Sequence, residues 1–341
     1  MTAALTAPAP PRNVQRACPD WPSGLALVPD GVRPALSPRV RSDRPLPVNG
    51  RSRFLTVNRL RQHLLEWGTS GRPVLLLHGF LEHAHAWDLV APRLADAGYH
   101  VFALDWRGHG DSAWIGAGGY YHFPDYTADL AILSRLLGGS VALVGHSMGA
   151  TAAMQYAGSE PERVWALVCV DGLGPPDGGD PASVPGRFAQ WIADLVQVAE
   201  RNPRLMTLEE AKNRLRERFP RFSANVARLL AEHGTRARSG LRVWKFDPLH
   251  QTRAPMPFQR AFAVRFWERV RCPVLYVEGE ESPLRLDPAD REERLALLRA
   301  EVTTIPACGH HPHLEHPERL AAALRAFLDR VAAQEEAPIR R

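Results

Sequence analysis

The chain has 341 residues, enough for one large α/β domain with an insertion or for two small domains. Its 45% apolar and 23% charged residues suit a globular protein with a substantial core, and no run reaches the about eighteen consecutive apolar residues of a membrane-spanning helix. The 42 basic residues exceed the 37 acidic ones by five, but the arginines are scattered, only Lys212 and Lys245 are lysines, and no basic stripe is interleaved with aromatics, which argues against a nucleic-acid partner.

Residues 1–50 are dense in proline without a sustained apolar period, and read as an extended arm. Met1 to Pro11 has neither the basic nor the apolar region of a secretory signal. Phe54–Val57 and His63–Trp67 predict a hairpin around Asn58. Pro73–His78 is a continuous apolar strand of the kind buried on both faces of a parallel sheet. A helix near Leu89–Ala97, a strand His100–Leu104, a helix Tyr126–Leu137, a strand from Val141 and a strand Val164–Val170 follow. The alternation predicts a doubly wound, mostly parallel α/β sheet with ligands beyond the C-terminal strand ends. It breaks over 173–271, where amphipathic helices (Phe188–Ala199, Leu208–Phe219, Ala224–Glu232) occur and no buried strand is evident. It resumes with strand Pro273–Val277, helix Arg291–Leu298, strand Val302–Ile305 and helix Pro317–Ala332. The expected organisation is an arm (1–50), a core (51–172 and 272–332), a helical cap (173–271) and a tail (333–341). Cys18, Cys169, Cys272 and Cys308 lie far apart without C-x-x-C spacing, as reduced thiols of a cytoplasmic protein would.

The chemistry concentrates at Gly145-His146-Ser147-Met148-Gly149, between the Val141 strand and an Ala-rich helix. A serine at the apex of a strand–turn–helix has its hydroxyl lifted clear of the sheet. Glycine is needed on both sides because a side chain there would strike the neighbouring strand or helix. The Met148 N–H then sits at a helix N-terminus, where it can stabilise an oxyanion. The bland alternative is a chance G-x-S-x-G in a loop, and the flanking strand and helix argue against it.

With Leu77-His78-Gly79-Phe80, the run Asp105 to Ser112, the serine turn, Cys272 to Gly279, and Gly309-His310 with Leu314, Glu315 and Pro317, residues 51–332 resemble the α/β-hydrolase fold superfamily. Asp171 to Pro176 and Trp244 to Pro248 resemble its serine hydrolase-like branch. The resemblance implies that Phe80 supplies the second oxyanion N–H, and that the base directly follows Gly309, which selects His310 over His311 and His313. It also implies an aspartate about three residues past Gly279, where Ser282 stands instead. Some members of the superfamily place their acid at the end of the preceding strand. That favours Asp171, ahead of Glu280, Glu281 and Asp287, whose plain reading is a solvated charged loop, with a missing acid as the third alternative. Asp171 has a plain reading of its own, as the first residue of an Asp-Gly turn.

Several other groupings weigh little. His83-Ala84-His85-Ala86-Trp87-Asp88 echoes a dinuclear zinc motif, but its acid stands one position too late, and His310, His311 and His313 lack a carboxylate at ligand spacing. His83 and His85 are expected at the rim or surface. Gly116 to Gly119 is a turn and not a P-loop, with Tyr120, Tyr121 and His122 towards the cleft. Phe188, Trp191, Leu195, Phe219, Phe222 and Trp244 are expected first as core between cap and sheet.

The resulting expectation is a serine esterase without cofactor or metal, acting on a small to medium hydrophobic ester. Ser147 is the nucleophile, His310 the base, Asp171 the acid, and Phe80 and Met148 the oxyanion donors. Its partner is a small-molecule substrate, with a homodimer left open. The same serine turn also serves carbon–carbon, amide and lactone hydrolysis and perhydrolysis, and a ligand-binding protein that has lost its chemistry is the alternative from another class.

Overall fold

In the computed structural model, which describes residues 50–178 and 180–336, the chain enters as an antiparallel hairpin of β1 (Arg51–Val57) and β2 (Leu60–Trp67). Asn58 and Arg59 take φ of 45° and 63°, the paired left-handed geometry that joins twisted strands tightly. There follow β3 (Pro73–Leu77), α1 (Ala91–Asp96), β4 (His100–Leu104), α2 (Phe123–Leu136), β5 (Val141–His146), α3 (Met148–Ser159) and β6 (Val164–Val170). The next stretch holds α4 (Val184–Glu200), α5 (Leu208–Arg218), α6 (Ala224–Gly234), β7 (Thr235–Arg238), β8 (Leu241–Trp244) and α7 (Arg260–Trp267). The chain then closes through β9 (Val274–Gly279), α8 (Pro288–Leu298), β10 (Glu301–Ile305), α9 (Pro312–Glu315) and α10 (Pro317–Glu336).

The main sheet runs β1-β2-β4-β3-β5-β6-β9-β10, antiparallel at β1/β2 and β2/β4 and parallel from β4 onward. Its central strands are apolar throughout because both faces are covered. Along β3, Leu75 and Leu77 enter a core with Leu130 and Leu133 of α2, Met154 of α3 and Trp267 of α7. Val74 and Leu76 point the opposite way, into a core with Leu94 of α1 and Leu320, Leu324 and Leu328 of α10. The β4 and β6 bounds are those predicted. Helix starts differ: α2 and α8 begin three residues earlier than expected, because Pro124 and Pro288 fit a first turn where no N–H is needed. The helix expected over Leu89–Ala97 is shorter, with Ala84–Trp87 forming a 3-10 turn before it.

Two expectations for 173–271 need correction. The segment is not purely helical. The antiparallel hairpin β7/β8, with Ser239 and Gly240 at φ of 49° and 78°, lies within it. Those strands span four residues each, β7 largely exposed and β8 half-buried with only Val243 buried, so no apolar alternation marked them. Second, Phe188, Trp191 and Leu195 are not core, since α4 buries none of its residues and Phe188 is exposed. The core of this segment belongs to α5 and α6, where Leu215, Phe222, Val226 and Leu230 join Leu89 and Leu314, with Phe219 and Trp244 packed at its margin. Among the described residues no helix is long and apolar enough to cross a membrane. The arm expected over 1–50 and the end of the tail lie outside the described residues, apart from Gly50 and residues 333–336.

A Cβ on Gly149 would stand 2.4 Å from the Leu77 carbonyl oxygen, and one on Gly145 would stand 2.4 Å from the Ala150 nitrogen. Both neighbours are backbone and cannot step aside. Gly149→Ala therefore lowers the unfolding free energy by about 2 kcal/mol through overpacking. Chemical denaturation checks this, and an unchanged midpoint would contradict the contact.

Candidate active site

Ser147 stands between β5 and α3 at φ 50°, ψ −111°, a left-handed conformation that costs a non-glycine residue about 1–3 kcal/mol. Surrounding bonds hold it there. Its N–H donates to the Val170 carbonyl (3.0 Å), and its own carbonyl accepts from Ala150 (3.1 Å) and Thr151 (3.2 Å). Gly172 completes the seat, since a Cβ there would lie 2.8 Å from the Ser147 Cα. The elbow and the end of β6 are thus in direct contact.

Asp171, the next residue after β6, is also left-handed (φ 45°), and its N–H donates to the Val277 carbonyl (2.7 Å). The turn directs its buried carboxylate across the end of β9. Oδ1 accepts the Gly279 N–H (3.1 Å), while Oδ2 accepts the Ser282 hydroxyl (2.5 Å) and lies 2.6 Å from His310 Nδ1. Ser282, at the seat where a carboxylate was expected, thus donates to the carboxylate of the neighbouring strand. The other three acidic candidates face elsewhere. Glu280 accepts the Ala307 N–H (3.0 Å), Glu281 pairs with Arg221, and Asp287 caps α8 through the Ala289 N–H (3.0 Å).

His310 sits in the loop between β10 and α9. Glu315 accepts the N–H groups of Gly309 (2.7 Å) and His311 (3.2 Å), and a Cβ on Gly279 would lie 2.0 Å from the Gly309 oxygen, so the loop is pressed onto the end of β9. Phe80 follows β3 at the same end of the sheet. Neither the Phe80 N–H nor the Met148 N–H donates to any described residue. Below them Leu81 (φ 61°) donates to His109 Nε2 (3.3 Å). Burial holds the His109 ring well below its ordinary pKa, so it is neutral, with Nδ1 donating to the Arg107 carbonyl (3.1 Å). The Asp105 carboxylate anchors this loop through His63 (2.7 Å) and the N–H groups of Ala84 (2.6 Å) and Asp111 (2.8 Å). Burial raises its pKa, but the His63 hydrogen bond and charge more than offset that and hold it low.

The structure also brings in residues that sequence reasoning passed over. Glu82 accepts the Gly79 N–H (2.9 Å) and lies 3.1 Å from His146 Nδ1, while His146 Nε2 donates to the His310 carbonyl (2.8 Å). His311 and His313 each bring Nε2 to 3.5 Å from the same carboxylate. Burial opposes ionisation of Glu82, but the facing His146 and His313 outweigh it and hold the carboxyl well below its usual range. Burial likewise opposes the charge on His146, and Glu82 overcomes it, so the His146 pKa rises. Burial dominates for His313, which is pushed down to about 4. The only local signal for this cluster was the density of histidine after Gly309.

His83 and His85, expected at the rim or surface, are both buried, and His83 lines the cavity beside Phe80. His83 Nε2 donates to the Leu230 carbonyl (3.2 Å), and His85 pairs with Asp88 (2.8 Å) and stacks on His233 at 3.6 Å. Of the cleft-facing trio, Tyr121 is buried with its hydroxyl on Asp247 (2.8 Å), Tyr120 bonds Thr252 (2.6 Å), and His122 is exposed at the start of α2. Beside Phe80 and His311 lies a cavity of about 50 Å3, walled by Leu215, Phe219, Phe222, Leu230, Trp244 and Phe246.

The sequence profile described as the alpha/beta hydrolase family matches residues 74–323. A serine hydrolase-like protein of Danio rerio is 28% identical over 276 residues, covering 77% of this chain and 83% of that protein. An esterase of Mycobacterium tuberculosis is 27% identical over 286 residues, 78% of this chain and 85% of the relative. Among solved structures, a hypothetical protein from Pseudomonas aeruginosa PAO1 superposes with a TM-score of 0.75 at 30% identity, over 82% of this chain and 99% of the other.

The Glu82–His146 pair yields a stability prediction. The depressed Glu82 pKa gives stability that is present above its ordinary 4.5 and lost on acidification through the folded value. The raised His146 pKa gives stability that is present below 6.5 and lost as pH rises through the folded value. Glu82→Gln, which strands a buried imidazolium, therefore costs about 3 kcal/mol near pH 6. Denaturation at several pH values should show the deficit shrinking as pH rises. A deficit that grows with pH would contradict the pairing.

Proposed function

The chain belongs to the alpha/beta hydrolase family, and from that premise we propose a serine hydrolase that cleaves small to medium hydrophobic esters through an acyl-enzyme. The observation that carries this reading is the 2.6 Å contact of Asp171 Oδ2 with His310 Nδ1, made beside a serine held at a strained elbow. The carboxylate fixes the imidazole with Nδ1 protonated, leaving Nε2 to accept the Ser147 proton. Ser147 Oγ attacks the ester carbonyl, and the oxyanion takes the unused N–H groups of Phe80 and Met148. His310 returns its proton to the leaving alcohol. Water then attacks the acyl-enzyme with His310 again as base, releasing the acid and restoring the serine. The esterase among the relatives supports ester cleavage.

The apolar cavity supports the substrate class. Its walls come from the core, through Phe80, His311 and Leu314, and from 173–271, through Phe219, Phe222, Trp244 and Phe246. That mixed lining supports reading 173–271 as a cap over the C-terminal strand ends. A small pocket walled mainly by aromatic and aliphatic side chains, with Glu82 and Lys245 also lining it, favours short acyl groups. The free thiols of Cys169, Cys272 and Cys308 support a cytoplasmic location.

Three measurements test the proposal. Ser147→Ala abolishes turnover of p-nitrophenyl esters and labelling by a fluorophosphonate probe while the protein stays folded, and turnover within about tenfold of the parent would sink the serine mechanism. Asp171→Asn lowers kcat at least about a hundredfold, whereas Glu281→Gln leaves it within a few fold. The reverse pattern would move the acid to the 280–287 loop. Across acetate, butyrate, hexanoate and decanoate esters, kcat/KM peaks among the short chains, and Phe222→Ala shifts the optimum to longer ones. An unshifted profile would remove this cavity from acyl recognition.

A further inference from the structure

Behind the proposed base, four side chains converge in a geometry that ester hydrolysis does not use. The ligand atoms of Glu82, His146 and His313 all lie within 4.8 Å of one another, with carboxylate-to-imidazole separations of 3.1 Å and 3.5 Å. His311 Nε2 adds a third at 3.5 Å. Ligands placed about 2.0–2.2 Å from one tetrahedral ion stand about 3.3–3.5 Å apart, close to the carboxylate-to-imidazole separations found here.

Two further features point to an ion. His313 is fully buried, its Nδ1 has no hydrogen-bond partner, and its Nε2 meets only the Glu82 carboxylate, at 3.5 Å. Buried polar groups are nearly always satisfied at short range, so a fully buried imidazole that meets its carboxylate only at 3.5 Å leaves space for an ion between them. The surroundings also match the outer shell of a metal site. A metal-ligating histidine normally donates its second ring N–H to a carbonyl or carboxylate, as His146 Nε2 does to the His310 carbonyl (2.8 Å). The Glu82 carboxylate is likewise oriented, by the Gly79 N–H (2.9 Å). His311 also lines the cavity beside Phe80, which gives an ion a route in.

We infer that Glu82, His146 and His313 form a site for one divalent transition-metal ion of the zinc type. His146 coordinates through Nδ1 and keeps its bond to the His310 carbonyl, so the ion clamps the elbow, the Gly79 turn and the loop after β10 together. Borderline-soft imidazole donors favour zinc or cobalt over magnesium or calcium.

The full chain without an affinity tag, titrated with Co2+, should develop the intense visible bands of four-coordinate cobalt at one equivalent. Calorimetry should show one Zn2+ site, and the melting temperature should rise with Zn2+ because the unfolded chain lacks the site. His313→Gln and Glu82→Gln each weaken Zn2+ binding by at least about tenfold, whereas His310→Gln keeps it within a few fold. Circular dichroism establishes that each variant is folded, and if His313→Gln is not, Glu82→Gln and the cobalt spectrum carry the test. Six-coordinate cobalt bands only, no saturable Zn2+ site, or a site lost in His310→Gln but kept in His313→Gln would overturn the inference. Each readout is binding or stability, so the result stands apart from whether the protein hydrolyses esters.

Discussion

The candidate site depends on how closely backbone can approach backbone at the C-terminal ends of the strands. At Gly149 the first turn of α3 lies against the Leu77 carbonyl, at Gly172 the end of β6 lies against Ser147, and at Gly279 the end of β9 lies against Gly309. Each contact removes the space that a methyl group would occupy, so three chain segments meet at distances only glycine permits. One consequence is electrostatic. The contact at Gly149 brings the start of α3 to the end of β3, and so gathers the unused N–H groups of Met148 and Phe80 at one edge of the sheet. A second consequence is strain, since Ser147, Asp171 and Leu81 all take positive φ. Bonds that span segments hold these residues in place, such as Ser147 N–H to Val170 and Asp171 N–H to Val277.

The position of Asp171 follows from sheet order. β6 and β9 are parallel neighbours in register, Val170 opposite Val277, so their ends stand one strand spacing apart, about 4.8 Å. A carboxylate from the end of β6 and one from the loop after β9 can therefore reach the same imidazole, provided each leaves its strand in a different direction. The left-handed turn at Asp171 supplies that direction. Ser282 then has a use that its place in sequence does not reveal, because its hydroxyl binds the same Oδ2 that faces His310. Together with the Gly279 N–H it gives the carboxylate donors from two sides, which fixes its orientation.

Much of the fold was legible in the sequence because strands covered on both faces must be largely apolar, as β3, β6 and β5 up to Gly145 are. The elbow was legible because its glycines are fixed by contact distance, and the end of β6 because a buried strand stops abruptly at Asp171-Gly172. The β7/β8 hairpin was not, since strands of four residues with one buried residue each are too short to leave a pattern. The aromatics of α4 misled for the opposite reason. Phe188 and Trp191 carry the periodicity of a packed helix, yet α4 buries no residue among those described. The Glu82 cluster was illegible for a topological reason, as it draws on the loop after β3, the elbow and the loop after β10, which only the sheet brings together.

That cluster also bears on how rigidly the proposed base is held. His146 is the residue before Ser147, and its ring bridges Glu82 on one side and the His310 carbonyl on the other. The elbow and the loop carrying His310 are thus joined by one imidazole as well as through Asp171. A buried ion pair adds little net stability, because desolvating two charges consumes most of their attraction. Its value here is geometric. The short contacts of Glu82 and His146 fix where the backbone of His310 lies. A hydrophobic pair of the same volume could fill the space but could not direct a ring N–H at that carbonyl, and this accounts for charged groups in so dry a place.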